Sequence, residues 1–133
     1  MRYGVTLSLL ALVACGGTDS GGGTTDQVAQ LSIKSTGIST QTGGSAIFSV
    51  PNPGVVQFTN SDTAAHNIAS SDAGCGALTT GNLAAGATSG QIILTNSTSA
   101  NIVCSFKDTL NPTAAAFTGT VTILTSSTGG SGY

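Results

Sequence analysis

Three basic and five acidic side chains in 133 residues, none of the acidic ones a glutamate, leave this chain almost nothing from which to build the solvated face of a helix. Thr, Ser, Gly and Ala dominate, Trp is absent, and 39% of residues are hydrophobic. Short β-segments joined by turns can be made from such material; long salt-bridged helices cannot. The length supports one hydrophobic core and no second one, so the reading is a single all-β domain with tails.

The first residues read as a targeting segment. Arg2 gives a positive start, residues 5–13 give an apolar run too short to span a bilayer, and Leu12, Val13, Ala14 and Cys15 give a small-residue cleavage pattern. The pattern resembles the lipobox of bacterial lipoproteins, which implies cleavage before Cys15 and attachment of a diacylglycerol to its sulfur. Gly16 follows the cysteine where inner-membrane retention uses Asp, so an outer-membrane, lipid-anchored location in the cell envelope is expected, with the membrane as a partner through the lipid. Residues 1–14 are thus the signal segment. Residues 15–27 contain almost no apolar side chain and are expected to be a flexible tether, residues 28–125 the folded domain, and residues 126–133 a loose tail.

Once Arg2 leaves, Lys34 and Lys107 oppose Asp19, Asp26, Asp62, Asp72 and Asp108, a net charge of −3. No basic patch exists, which argues against nucleic acid as a partner. The glycine runs lie in the tether and tail rather than between a strand and a helix, which argues against a phosphate cradle. One histidine, no glutamate and no recognisable nucleophile motif argue against an enzyme.

Within residues 28–125 β-signals recur at short intervals. Leu31 and Ile33 alternate with polar neighbours; residues 46–50 form an apolar run that Pro51, Asn52, Pro53 and Gly54 turn into residues 55–59. Further strands are expected at residues 66–69, 91–95, 101–106 and 120–124. The spacing suggests a Greek-key β-sandwich of about seven to eight strands. Asn60 and Asp62 read as turn formers, and Asn96, Ser97 and Thr98 as a hairpin turn.

The order Phe58, Thr59, Asn60, Ser61, Asp62, then His66 and Asn67, then Cys104, then Gly119, Thr120 and Val121 resembles the plastocyanin and azurin family of cupredoxins. That resemblance spans about residues 28–124 and implies a cupredoxin-like sandwich carrying loops that hold copper through two imidazoles, a thiolate and a weak thioether. On it, His66 matches the first imidazole, Cys104 the thiolate, and Asn67 the neighbour that steadies the cysteine loop. The second imidazole position holds Lys107 and the thioether position Leu110. Because His66 is the only histidine and Met1 the only methionine, no rearrangement restores the ordinary blue-copper set, and the metal pair His66 and Cys104 reads as vestigial.

Residues 106–112 also resemble a second cupredoxin-like branch with the approximate pattern Tyr-His-Asp-His-Leu-Asn-Pro. Asp108, Leu110, Asn111 and Pro112 are retained while both histidines are gone, and residues 113–116 look like an insertion. Cys75 and Cys104 offer a competing assignment. With Cys15 lipidated they form an even pair in an oxidising compartment, and a disulfide between them excludes Cys104 as a copper ligand.

Two functions from different classes remain open. One is an envelope lipoprotein whose cupredoxin-like domain is a structural or binding module with no cofactor. The alternative is a copper-binding electron-transfer protein that uses His66 and Cys104, aided by Asp108, water or a partner chain. Self-association through a Thr-rich edge strand is a third expectation. The sequence points to no particular protein partner.

Overall fold

The computed structural model describes residues 27–126, and Cys15 with the expected signal segment and most of the tether and tail lies outside them. Eight strands form two four-stranded sheets: β1 (Val28–Lys34), β2 (Gly37–Thr40), β3 (Ile47–Val50), β4 (Gly54–Asn60), β5 (Ile68–Ala69), β6 (Ile92–Leu94), β7 (Ile102–Asp108) and β8 (Thr118–Ile123). One sheet has the order β2-β1-β4-β6 and the other β3-β8-β7-β5. A 3₁₀ turn, Ala115–Phe117, precedes β8. The expected all-β sandwich is therefore present.

Period-2 alternation determines which side chains enter the core. In β4, Gly54, Val56, Phe58 and Asn60 face inward while Val55, Gln57 and Thr59 lie outward. In β7, Cys104, Phe106 and Asp108 are buried, whereas Val103, Ser105 and Lys107 are exposed. The inward rows meet between the sheets, where Phe58 and Phe106 pack edge to face with ring centroids 5.6 Å apart. Both sheets are mixed: β1 runs parallel to β4 and β3 parallel to β8, while β7 pairs antiparallel with β5 and β8.

Several local expectations change. The strand expected at residues 66–69 keeps only Ile68–Ala69; His66 instead makes an isolated bridge to Leu83, to which its backbone is hydrogen-bonded in both directions. Strand β2 escapes the sequence pattern because it contains a single large apolar residue, Ile38, after Gly37, whose φ of 131° suits only glycine. Asn96 does not sit in a hairpin, since β6 and β7 belong to different sheets. Its buried amide donates to the carbonyls of Ala100 and Ile123 and accepts from the backbone N–H of Thr98, latching a crossover between layers.

Gly119 marks the tightest point of the second sheet. It lies opposite Phe106, and a Cβ there would overlap the Phe106 ring and stand 2.6 Å from the carbonyl oxygen of Ala46. Overpacking of this kind costs about 1–3 kcal/mol. Urea denaturation of Gly119→Ala is expected to show a stability loss of that size at unchanged m-value, and wild-type stability would contradict the close approach.

Candidate metal centre replaced by an ion-paired clamp

Three chain segments converge where β4 ends, β5 begins and β7 ends. Asn60 terminates β4; its side-chain carbonyl accepts the N–H of Asp62, and its Nδ2 donates to the carbonyls of Ala64 and Leu83. This buried amide shapes the 61–65 loop so that Asp62 turns back toward His66 four residues later. Asn60 is thus more than a turn former, and so is Asp62: its Oδ2 stands 3.1 Å from His66 Nε2, while its Oδ1 accepts the N–H of Thr63.

The opposite edge of the same ring meets Asp108. His66 Nδ1 lies 2.7 Å from Asp108 Oδ2, and the two side chains are 1% and 0% exposed. Asp108 also accepts from the N–H groups of Asn67 and Leu110 and from Asn111 Nδ2, so its buried charge is fully partnered. Phe117 stacks on the imidazole at a centroid distance of 5.1 Å, a favourable contact for a cationic ring.

A neutral imidazole has one N–H and can donate to one carboxylate; an imidazolium has two and satisfies both. The electrostatics agree. Burial is the largest influence on His66 and lowers its pKa, yet the hydrogen bonds and charges of Asp108 and Asp62 together outweigh it and leave the pKa raised. The hydrogen bond from His66, followed by that from the Thr63 N–H, holds Asp62 below the usual carboxylate range. Burial pushes Asp108 up, but donation from Asn111, Asn67, His66 and Leu110 prevails and leaves it lowered.

Cys104, the expected thiolate, is bonded to Cys75 with a Cα–Cα distance of 5.7 Å. Both cysteines are fully buried. The disulfide ties the 70–80 loop onto β7 beyond the point where β5 stops, and beside it the N–H of Ser105 donates to Asp72 Oδ2 at 2.6 Å. Of the two exclusive roles for Cys104, the bridge is the one formed.

The residues present therefore do not fit a blue-copper centre. One sulfur is covalently committed, both nitrogens of the one imidazole face carboxylates, and those carboxylates sit on opposite edges of the ring, where they cannot converge on one ion. Among the described residues no group of three His, Cys, Asp or Glu side chains is placed to hold a metal. The pair His66 and Cys104, read from the sequence as a vestigial metal site, is engaged elsewhere: the sulfur in the bridge and the imidazole between two carboxylates. Asn67 departs from its expected role in detail: its side chain donates to Asn82, and it is the Asn67 backbone that ties down the loop after Cys104, donating to Asp108 and accepting from the Thr109 N–H at 2.7 Å. Lys107 and Leu110 are exposed.

No family model matches the chain, and no curated protein matches it. Solved structures do. A purple cupredoxin from Nitrosopumilus maritimus superposes with a TM-score of 0.51 at 23% identity, covering 71% of this chain and 98% of that one. Amicyanin with one methionine replaced by alanine, in its Cu(I) state, gives a TM-score of 0.53 at 13% identity over 72% of this chain and 81% of its own. A reduced amicyanin with one proline replaced by phenylalanine gives 0.53 at 13% identity over 74% and 84%. The chain has a cupredoxin-like fold. At these identities the likeness defines the sandwich and leaves the chemistry of its loop end to the residues described above.

Two outcomes follow for stability. A raised His66 pKa stabilises the fold fully below the unfolded value near about 6.5 and loses that contribution as pH rises through the folded value, whereas lowered Asp62 and Asp108 pKa values stabilise above about 4 and fail on acidification. Unfolding free energy measured by urea across pH is expected to be greatest between roughly pH 4 and 6.5, falling on both sides; a profile that climbs steadily from pH 5 to 9 would contradict the clamp. The disulfide closes a sequence separation of 29 residues, for which chain-entropy reasoning gives ~3.6 kcal/mol. The Cys75→Ala, Cys104→Ala double variant is expected to lose about that much, and an unchanged unfolding midpoint would argue against the bridge.

Proposed function

We propose that this protein is a non-enzymatic envelope lipoprotein in which the cupredoxin-like sandwich is a rigid structural or binding module rather than an electron carrier. The observation that carries the reading is the double commitment of the ligand positions: Cys104 shares its sulfur with Cys75, and the two ring nitrogens of His66 face the carboxylates of Asp62 and Asp108. Fast electron transfer by copper depends on a constrained set of imidazole and thiolate ligands. Here reduction of a buried bridge and displacement of a carboxylate would have to precede even a two-ligand site. The sequence pattern at Cys15 supports a lipid anchor there and an outer-membrane position, with the sandwich held at the membrane surface by the tether.

The electron-transfer alternative rests on the likeness to a purple cupredoxin and to Cu(I) amicyanin. Titration of the purified mature domain with Cu(II), first oxidised and then after reduction of the disulfide, separates the two. No intense visible absorption is expected in either form. A strong thiolate-to-copper band that Cys104→Ser abolishes and His66→Ala weakens would overturn the structural reading in favour of the copper one.

A further inference from the structure

We propose that Asp62 is a pH-operated gate on His66: when the ring loses its proton, the Asp62 carboxylate turns out to water and exposes Nε2 to solvent, while the bond from Nδ1 to Asp108, the backbone of the 61–65 loop and the rest of the sandwich stay in place.

The asymmetry of the clamp carries the inference. A neutral ring keeps one N–H, so one carboxylate must face a nitrogen lone pair. Asp108 is fully buried 2.7 Å from Nδ1, fixed by three other donors and unable to turn to water. An acceptor–acceptor contact there has no means of relief, so the remaining proton stays on Nδ1. Asp62 is 13% exposed and belongs to a loop whose Ser61, Thr63, Ala64 and Ala65 are all exposed. Its carboxylate can exchange His66 for water at little cost, keeping its contact with the N–H of Thr63.

The charge environment leaves the switch to this trio. Phe117 stacks on the ring and Leu83 bridges its backbone, neither bearing charge, and Asn60 and Asn67 supply only neutral amides. Among the described residues, His66–Asp62 and His66–Asp108 are the ion pairs present; neither Lys34 nor Lys107 pairs with either carboxylate. The loop backbone is held by groups that do not depend on the proton: the Ser61 N–H donates to the Ile33 carbonyl, Asn60 binds the N–H of Asp62 and the carbonyl of Ala64, and the bridge from His66 to Leu83 holds the end. Opening is local for that reason.

Diethyl pyrocarbonate acylates neutral, accessible imidazole nitrogens, and with one histidine in the sequence a peptide-mapped adduct at His66 reads the gate directly. Rates are compared with those of N-acetylhistidine at the same pH, which corrects for the neutral fraction of an ordinary imidazole. At about pH 9 the folded protein is expected to react within about tenfold of the free compound, and at about pH 5.5 to be protected at least ~100-fold. In Asp62→Asn the side-chain amide can donate to the Nε2 lone pair, so the gate stays closed and protection persists at about pH 9. In Asp62→Ala the gate is missing, so the ring reacts freely at about pH 9 and only the proton held by Asp108 slows it at about pH 5.5. A wild-type ring still ~100-fold protected at about pH 9, or an Asp62→Asn protein that opens as readily as wild type, overturns the proposal. Protection factors of the β4 and β7 amides, corrected for the intrinsic pH dependence of exchange, are expected to remain high at about pH 9, which distinguishes gating from global unfolding; their collapse there would also overturn it.

Discussion

The cationic ring between Asp62 and Asp108 is the interaction on which this end of the molecule depends. Its two carboxylates come from chain segments more than forty positions apart in sequence, one leaving β4 and the other ending β7. Asp108 is carried as a buried anion by the ring together with the N–H groups of Asn67 and Leu110 and the Asn111 amide. In turn, its remaining lone pairs organise the loop after β7 by accepting from Leu110 and Asn111. The two ring nitrogens of one imidazole thus join loops from both sheets.

The disulfide completes the arrangement from below. Because β5 is two residues long, β7 would present an unpaired flank next to the core; the Cys75–Cys104 bond and the Asp72–Ser105 contact close it with a loop instead of a strand. The sandwich shared with purple cupredoxin and amicyanin is therefore finished here by covalent and ionic contacts. A common scaffold does not transmit a common chemistry when the loop residues differ.

The sandwich was legible because period-2 alternation and core composition specify it: the inward rows of β4 and β7 follow directly from Phe58, Val56, Cys104 and Phe106. The pairing of Cys75 with Cys104 was accessible as one of three readings, beside a thiolate metal ligand and two unrelated thiols, and parity with an oxidising compartment favoured it. His66 stood out for its position, but its partners did not. Asp62 reads as a turn former because the sequence cannot show that Asn60 redirects the loop onto the ring, and Asp108 is one acidic residue in an exposed-looking run. The signal that could have found it was the resemblance of residues 106–112 to a loop pattern at Asp108, Leu110 and Asn111 but not at its histidines, which fits an aspartate and an asparagine that hold the loop. Strand β2 and the Asn96 latch were hidden for the same reason: both depend on long-range backbone partners rather than on local periodicity.

The protonation state of His66 in the folded protein tests the account most directly. A long-range ¹H–¹⁵N correlation spectrum of the single imidazole, recorded in mildly acidic solution at about pH 6, is expected to show both ring nitrogens protonated, each with a slowly exchanging, strongly deshielded proton. A ring with one bare nitrogen under those conditions would contradict the doubly paired cation.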